Sequence, residues 1–415
     1  QLRAGTWNSG SGAQTEFLGA PISAGGTHHL ALSFDADDEE GAGVSSMVLY
    51  LDGKPVGTLT DVNPVNYHGG DVAIGGMRGD SGFLDSSGGF EAGDGNGYYF
   101  DGRIDDVSLF NADNEAGQIR SRLAAVGIDA TDPSQDAQLA DDPLALWSMN
   151  EFDVQGAANI ASDGAGLGHT LNLTRTDVDG GIQRVRGLTG GTDGAFSFEG
   201  GRLEAADLPV TRDTIEERSI ELTFSADTIG TADETSRHML YAEGGATRGL
   251  NVYLQRDGAT NDLELFLNGW NNANDDGAGN AAPWGAAWLS TPIDEERPYQ
   301  VQLVMDGASD GTGELRGYLN GRLFGTVDGV GLLYGHSPIT LGGVNGTTEF
   351  AGVGDASGDF LFDGIIDDAA LYGWALTDLD VAEHFAATGI PEPSTLLLLG
   401  LGLLFTLPAR GRRRA

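Results

Sequence analysis

The feature that most constrains the fold of this chain is an internal repeat. The stretch FDGRIDDVSLF (Phe100–Phe110) returns as FDGIIDDAALY (Phe362–Tyr372). Upstream of each, LDGKPVGTL (Leu51–Leu59) matches LNGRLFGTV (Leu319–Val327). Similar segments in the same order and at nearly constant separation indicate two copies of one folding unit.

The repeat also sets the predicted domain boundaries. The second copy begins near LALWSMNE (Leu144–Glu151), and the segment before it is polar, acidic and marked by proline. We therefore predict a first copy at 1–128 that lacks its opening half, a linker at 129–143, a complete copy at 144–390 and a tail at 391–415. The incomplete first copy leads us to expect the C-terminal part of a longer protein.

Short apolar or alternating runs predict that both copies are built from strands. LALSF, MVLYL, DVAIGG and DVSLF are such runs, and Gly, Asn and Asp residues separate them. LDGK and LNGR are typical of tight hairpin turns. We predict an all-β fold of tandem antiparallel β-sandwiches, each closed by one short helix. In the second copy Thr377 and Asp380 form a capping pattern and Gly389 ends the helix.

Composition excludes several classes of function. The formal net charge is −40, which argues against nucleic acid as a partner because phosphate binding needs clustered Lys and Arg. The chain has no cysteine, so disulfides and thiolate metal sites are excluded. We find no His-x-x-x-His pair, no Gly-x-Ser-x-Gly turn and no phosphate-binding loop with its lysine. These observations predict a protein that is not an enzyme.

The repeated residues resemble a known family, the LamG-like jellyroll of concanavalin A-like lectin/glucanase architecture. The pattern is W-x-x-(D/N)-E, then D-x-x-G, then x-L-x-(D/N)-G-x-x-x-G, then G-x-I-D-D-(V/A)-x-L-(Y/F). In the second copy these places are held by Trp147, Asn150-Glu151, Asp163, Leu319-Asn320-Gly321, Gly325 and Gly364–Tyr372. The first copy shows only the later part, in Leu51-Asp52-Gly53, Gly57 and Gly102–Phe110. Glucanases of this architecture typically carry Glu-x-Asp-x-x-Glu on one strand, which this sequence lacks.

The resemblance implies a structural calcium ion. Adjacent strand residues face opposite sides, so one carboxylate of each Asp-Asp pair is expected to face inward and the other to meet solvent. By resemblance, the candidate ligands in the second copy are Asn150, Glu151, Asp163, Asp367 and Asp368, all with the oxygen atoms that calcium prefers. Asp105 and Asp106 are weaker candidates in the first copy. The alternative is that the Asp367-Asp368 pair caps a turn or accepts hydrogen bonds from backbone amides.

A cluster of tryptophans beside asparagines suggests a ligand site. Trp270 and Trp284 lie near Asn271 and Asn272, and flat rings beside amide groups are typical of sugar binding. Trp288 belongs to the same cluster, with the alternative that it lies on a strand and packs in the core. Trp147 is expected in the core because it sits in the apolar opening strand.

The C-terminus resembles the PEP-CTERM sorting signal. It consists of Pro391-Glu392-Pro393, an apolar stretch from Thr395 to Leu407 expected to be helical, and an arginine cluster formed by Arg410, Arg412, Arg413 and Arg414. The stretch is shorter than the about 20 residues of a membrane-spanning helix. The arginines are expected to stay on the cytoplasmic side. A simple membrane anchor is the alternative.

The resemblance to that signal implies a Gram-negative host with an exosortase-type processing enzyme. The protein would be exported, held transiently in the inner membrane and delivered to the cell surface or the extracellular matrix. The expected function is non-catalytic binding of exopolysaccharide or another glycan. The alternatives are a structural or adhesive protein that binds matrix proteins and a glycan-active enzyme with acids on separate strands.

Overall fold

The computed structural model describes most of the second copy and separate parts of the first. The described residues are 2–8, 14–22, 27–35, 46–60, 62, 72–77, 81–84, 90–93, 97–110, 119, 132–151, 154, 156–157, 171–189, 194–205, 211, 214–227, 237–258, 260–273, 282–336 and 338–391. We call the described parts of residues 2–110 the first unit and residues 144–391 the second unit.

Both units are mostly antiparallel β-structure. The first unit contains β1 (Leu2–Asn8), β2 (Gln14–Ala20), β3 (Leu30–Asp35), β4 (Ser46–Leu51), β5 (Lys54–Thr60), β6 (Ser81–Leu84) and β7 (Phe90–Gly93). Strands β1 and β2 form a pair, β3-β4-β5 form a three-stranded sheet, and β6 pairs with β7. Helix α1 (Pro133–Ala140) lies between the units in sequence.

The second unit forms one large antiparallel sheet that folds back on itself. Its strands are β8 (Ala145–Trp147), β9 (Gly156–Ala157), β10 (Leu173–Arg186), β11 (Gly194–Ala205), β12 (Glu217–Ala226), β13 (Arg237–Gly244), β14 (Arg248–Arg256), β15 (Leu263–Asn271), β16 (Gly285–Ile293), β17 (Pro298–Asp306), β18 (Gly313–Leu319), β19 (Arg322–Val330), β20 (Ile339–Leu341), β21 (Thr347–Phe350), β22 (Gly354–Ser357) and β23 (Asp363–Tyr372), followed by helix α2 (Asp378–Thr388).

The strand order is β16-β15-β14-β13-β20-β11-β23-β12-β17-β18-β19, with β10 on β11, β9 on β10 and β8 on β23. The two ends of this order come together, because a side chain at Gly325 of β19 would touch Leu289 of β16. The sheet thus folds into two layers with a core between them. Trp147 is fully buried in this core, as predicted, and donates its indole N–H to the Leu171 carbonyl at 2.6 Å. This is the predicted all-β jellyroll-like architecture.

The hairpin turns repeat between the units in atomic detail. Asp52 and Asn320 have φ angles of 52° and 51°, and each is followed by a glycine with positive φ. The Asp52 amide donates to the His29 carbonyl at 2.9 Å, and the Asn320 amide donates to the Gln300 carbonyl at 2.8 Å. Left-handed residues of this kind form the tight turns that LDGK and LNGR predict. The sheet β3-β4-β5 therefore reproduces β17-β18-β19.

The closing strand does not repeat. DVSLF was expected to be a strand in the first unit, as its counterpart is in β23, but residues 101–110 form neither strand nor helix. DVAIGG likewise contains no strand among residues 72–76. Strand β23 pairs with β8, β11 and β12, and the described residues of the first unit include no counterparts of these three strands. A strand needs such neighbours to satisfy its backbone groups.

The segment predicted to be a linker, 129–143, contains α1. Asp132 caps this helix by accepting the Ser134 amide at 3.2 Å, and Pro133 occupies its first turn. The side chains of Gln135 and Gln138 are buried, and they donate to Asp368 and Glu221 of the second unit, at 3.2 and 2.8 Å. Polar residues in this segment therefore anchor a helix, and a polar composition alone did not reveal it.

Helix α2 begins and ends where the sequence predicted. Thr377 and Asp380 form a reciprocal capping box, and Gly389 adopts the left-handed conformation with φ of 67°. Asp380 serves in this box in place of the more usual glutamate. The helix packs its Val381 and Phe385 side chains inward, against the same side of the sheet as α1.

Candidate functional site

The residues predicted to bind calcium are engaged with protein donors. Asp367 Oδ2 accepts the Leu188 and Thr189 amides at 2.6 and 3.1 Å. Asn150 Oδ1 accepts the Gly194 amide at 2.8 Å. These oxygens hold the backbone on either side of the segment between β10 and β11, which is the alternative role that the sequence left open for Asp367.

The expected split between an inward and a solvent-facing carboxylate is wrong for Asp367-Asp368. Both side chains have no exposed surface. They do face opposite sides of β23, but α1 covers the outer side, and Gln135 of that helix donates to Asp368. Asp368 is buried because α1 covers it. Strand alternation predicts the direction in which a side chain points, but it does not predict a helix that covers that side.

The remaining candidate ligands do not complete a metal site among the described residues. Glu151 is buried and accepts the Thr58 hydroxyl of the first unit at 3.1 Å. Asp105 and Asp106 are exposed, and Asp105 Oδ1 accepts the Asp106 amide. Within the described part of the chain no group of three acidic or histidine side chains is placed to hold a metal ion. Asp163 lies outside the described residues. Calcium binding in the second unit therefore stays a prediction.

The two tryptophans predicted to contact sugar both donate hydrogen bonds to backbone carbonyls. Trp270 is fully buried and donates its indole N–H to the Gly245 carbonyl at 3.0 Å. Trp284 is partly buried and donates to the Leu332 carbonyl at 3.0 Å. Trp270 offers no accessible ring face, so the prediction of sugar stacking on Trp270 is wrong.

The neighbouring asparagines also bond within the protein. Asn271 is buried, accepts from Arg248 Nε at 3.2 Å, and donates to the Ala282 and Leu332 carbonyls. Asn272 is exposed and donates to the Glu349 carboxylate. These contacts fix the end of β15 and the segment that leads into β16.

A different face of the same strands combines aromatic and polar groups. In β15, Leu263, Leu265 and Leu267 face the core, so the residues between them face outward. The paired registers place residues of adjacent strands side by side in three rows. These rows are Arg237, Gln255 and Glu264; Met239, Tyr253 and Phe266; and Asn251, Asn268 and Trp288.

The aromatic rings of the outer face form a continuous group. The Tyr253 and Phe266 rings stack with centroids 4.9 Å apart and an interplanar angle of 6°. The Phe266 and Trp288 centroids lie 6.1 Å apart. The sequence left open that Trp288 packs in the core, but 44% of its surface is exposed. It therefore presents the accessible indole ring that the sequence assigned to Trp270.

The hairpin β21–β22 covers one side of this face and is held firmly. Asn251 and Asn268 both donate to the Glu349 carbonyl, at 2.8 and 3.1 Å. The Ala351 amide donates to the Tyr253 hydroxyl at 3.2 Å, and burial raises the pKa of that hydroxyl. Such contacts fix the hairpin in place, so the surface beside it is preformed.

Between the hairpin and the outer face lies a groove of about 330 Å³, which we call the outer groove. Phe266 forms part of its wall, and Val353 lines it from the turn between β21 and β22. The other lining residues are Arg237, Gln255, Arg256, Asp257, Gly258 and Glu264. Two arginines and two carboxylates thus face a shared space beside an aromatic ring.

The polar groups of the groove are oriented by neighbours. Arg237 places its guanidinium carbon 4.5 Å from the centre of the Phe350 ring and donates to Gln255 Oε1 at 3.0 Å. Arg256 donates to the Asn261 carbonyl at 2.9 Å and pairs with Glu295. A guanidinium has five N–H groups, and the contact of Arg237 with Gln255 uses one of them.

Sequence reasoning missed this site, although a signal was present. Phe266 and Trp288 are out of phase with the leucines of their own strands, Leu265, Leu267 and Leu289, as an outward-facing aromatic must be. Trp270 also alternates with the core leucines of its strand, so strand phase alone predicts that it faces outward. It is nevertheless buried, because neighbouring residues cover it.

Two parts of the chain match known family models. Residues 1–120 match the family model described as the concanavalin A-like lectin/glucanases superfamily, and residues 389–414 match the PEP-CTERM protein-sorting motif. The first segment is concanavalin A-like, and the tail is a PEP-CTERM signal. This tail indicates export with membrane-anchored sorting in a Gram-negative bacterium and processing by an exosortase. Pro391 is exposed; Glu392, Pro393, Arg410, Arg412, Arg413 and Arg414 lie outside the described residues.

The solved structures that match this chain have low sequence identity and low TM-scores. The botulinum neurotoxin serotype G binding domain is 11% identical with a TM-score of 0.38, over 59% of this chain and 50% of that one. Domain 4 of AbnA, a GH43 extracellular arabinanase from Geobacillus stearothermophilus in complex with arabinotriose, is 16% identical with a TM-score of 0.38, over 59% of this chain and 98% of that one. The match thus spans half of the neurotoxin chain. No curated protein matches the PEP-CTERM chain. Of its described helices, neither is long and apolar enough to cross a membrane.

Proposed function

We propose that this protein is a non-catalytic polysaccharide-binding protein and that the outer groove of its second unit is the binding site. The observation that supports this most directly is the Phe266 ring in the groove wall. It lies between the row of Arg237, Gln255 and Glu264 on one side and the exposed Trp288 ring on the other, so the proposed binding surface extends from the groove to Trp288. A sugar ring has apolar C–H faces and an equatorial rim of hydroxyls. Recognition therefore combines an aromatic face for stacking with planar polar groups that both donate and accept hydrogen bonds.

The charge of the groove favours a neutral glycan over a strongly anionic one. Arg237 and Arg256 are offset by Asp257 and Glu264 in the same lining. A guanidinium donates to hydroxyl oxygens, while a carboxylate accepts from hydroxyl hydrogens. An arginine and a carboxylate together can thus bond a sugar hydroxyl both at its oxygen and at its hydrogen. The strongly acidic remainder of the chain would repel a polyanion at long range.

The groove has a preformed shape. Its volume lies at the lower end of the about 300–1,000 Å³ of typical small-ligand sites. The hairpin β21–β22 is fixed by the Asn251, Asn268 and Tyr253 contacts. A preformed surface lowers the entropy cost of binding.

The PEP-CTERM tail supports a role outside the cytoplasm, because it indicates export. We propose that, after exosortase processing, the protein stays at the cell surface or in the extracellular matrix and contacts the exopolysaccharide of its host. The competing function is a structural or adhesive role in binding matrix proteins, which the exposed apolar residues of the first unit favour.

The test is binding of the full chain to a panel of neutral and acidic polysaccharides, including the host's exopolysaccharide, by isothermal titration calorimetry. Trp288→Ala is expected to weaken binding to one neutral glycan by roughly tenfold, as loss of one stacking ring does. The matched control is Leu379→Ala, which removes another exposed apolar side chain, on α2 and away from the groove. No binding by a folded protein, or equal binding by both variants, would contradict the proposal. Release of reducing sugar would instead show an enzyme.

A further inference from the structure

The carboxylate of Glu264 differs from the other charged groups that line the outer groove. Arg256 pairs with Glu295, and Asp257 Oδ1 accepts the Thr260 amide at 2.7 Å. Glu264 makes no hydrogen bond and no ion pair with any residue that the structure describes. It nevertheless lines the groove and is only partly exposed. Its two carboxylate oxygens are therefore available to a ligand.

Glu264 also lies beside the aromatic ring of the groove wall. Residues two apart on a strand share a face and lie about 7 Å from each other, as Glu264 and Phe266 do on β15. Tyr253 stacks on one face of the Phe266 ring. On the other side, the residue opposite Phe266 is Ser290 of β16, which is small and partly exposed. A sugar ring that stacks on Phe266 from this side has its rim of hydroxyls beside Glu264.

The surroundings of Glu264 favour hydroxyl groups over a metal ion as its partners. Arg237 and Arg256 line the same groove and repel a cation. Calcium takes about six to eight oxygen ligands, and the described part of the chain offers no group of three acidic or histidine side chains for any metal ion. An ionised carboxylate is a hydrogen-bond acceptor only, so hydroxyl hydrogens suit it.

The two oxygens of one carboxylate match two hydroxyls on adjacent carbons of a sugar ring. They lie side by side and accept two parallel hydrogen bonds, as they do from a guanidinium. Adjacent ring hydroxyls present two O–H groups at a similar spacing. When one of the two hydroxyls is in a glycosidic linkage, only one hydrogen bond remains. Bonds to an ionised group are about twice as strong as neutral ones, so this loss is measurable as affinity.

We propose that Glu264 makes the second unit select glycans whose residues carry two adjacent free hydroxyls. This inference rests on the proposed function, because it names the class of polysaccharide that the outer groove takes. In a 1,4-linked hexose chain, the hydroxyls at carbons 2 and 3 are free and adjacent. In a 1,3-linked chain, the oxygen at carbon 3 is in the linkage, and the hydroxyls at carbons 2 and 4 are not adjacent. The 1,4-linked chain is the one that Glu264 can bind through both oxygens.

The experiment measures binding of the full chain to pairs of soluble polysaccharides by isothermal titration calorimetry. Each pair contains the same sugar and the same chain length in two linkages, namely 1,4-linked and 1,3-linked glucans and 1,4-linked and 1,3-linked galactans. The unmodified chain is expected to bind the 1,4-linked member of one pair at least about tenfold more tightly than the 1,3-linked member.

Two variants test whether Glu264 causes this preference. Glu264→Gln keeps the shape of the side chain but has one acceptor oxygen and no charge. It is expected to reduce the ratio of the two affinities to within about threefold and to keep the melting temperature, since the side chain is partly exposed. The matched control is Glu383→Gln, which removes the same charge at an exposed position of α2, away from the groove. It is expected to retain the full ratio.

The outcomes separate this inference from the proposed function. Equal binding to the two linkages, tighter binding to the 1,3-linked member, or an unchanged ratio in Glu264→Gln overturns the role of Glu264, while binding itself upholds the proposed function. A folded chain that binds no polysaccharide of the panel overturns the proposed function and this inference with it.

Discussion

His384 of α2 lies with its Nδ1 atom 2.7 Å from Glu221 Oε2 of β12, and both side chains are buried. The other ring nitrogen, Nε2, is 2.9 Å from Asp141 Oδ2 at the end of α1. The Glu221 carboxylate also accepts from Gln138 and Gln300, at 2.8 and 2.7 Å. One charged ring thus joins both helices to the sheet, and its protonation affects how the helices are held.

The pH dependence of stability is the first prediction. Burial alone would lower the pKa of His384, but the hydrogen bond and charge of Glu221, together with Asp141, raise it above its usual value. A raised folded-state pKa gives stability that is fully present below the unfolded pKa of about 6.5 and is lost as pH rises through the folded pKa. We therefore expect the melting temperature to fall above pH 6.5 by more in the unmodified protein than in His384→Gln.

His238 provides a control with the opposite sign. Burial lowers the pKa of His238, whose Nδ1 lies 2.9 Å from the Leu361 carbonyl. A lowered pKa makes the folded state bind fewer protons, so stability from this group rises with pH up to about 6.5. His238→Gln should remove that rise and leave the loss above pH 6.5 intact. Parallel melting curves for His384→Gln and the unmodified protein would contradict the role of His384.

The two tryptophans of the second unit should separate stability from binding. Trp270 is buried and bonded to Gly245, so Trp270→Ala is expected to lower the free energy of unfolding by about 3–5 kcal/mol. Trp288 is exposed, and Trp288→Ala should change stability by less than about 1 kcal/mol while it weakens glycan binding. Urea unfolding and calorimetric titration of both variants check this. A large loss of stability in Trp288→Ala would show that this ring supports the fold and would contradict its assignment to the binding surface.

These tryptophans also show how far the sequence predicts the site. The repeat, the hairpin turns, the core position of Trp147 and the capping of α2 depend on local patterns, and the structure has all of them. Trp270 and Trp288 have the same phase relative to the leucines of their strands. Trp270 is buried because the chain near Gly245 returns over it, and Trp288 has no such cover among the described residues.

The burial of Asp368 had a similar non-local cause. Its outward orientation follows from strand alternation, but whether that side meets water depends on α1, which is distant in sequence. The strand expected at residues 106–110 depends in the same way on neighbours that the described part of the first unit lacks. Local pattern thus predicted which way a side chain faces, and tertiary contacts decided what it faces.

Asp367→Asn tests whether this carboxylate serves backbone amides. The Oδ2 atom accepts the Leu188 and Thr189 amides in a buried place. Loss of the negative charge weakens two charge-assisted hydrogen bonds, so the free energy of unfolding should fall by about 1–3 kcal/mol. We expect the same fall with calcium and with chelator present. Urea unfolding under both conditions measures this fall. A fall seen only with calcium would instead show that Asp367 acts through a bound ion.

Gly249 makes the most direct test of how Trp270 is packed. A Cβ atom at Gly249 would overlap the Glu243 carbonyl oxygen and would lie 2.7 Å from the Trp270 ring, so there is no space for it. Gly249→Ala should therefore lower the free energy of unfolding by about 1–3 kcal/mol, as overpacking in a core does. The matched control is Gly245→Ala, because the nearest atom to a Cβ there is Thr347 Oγ1 at 3.6 Å. Equal unfolding midpoints in urea for the two variants would show that the strand end adjusts freely and that the ring of Trp270 is not held by this contact.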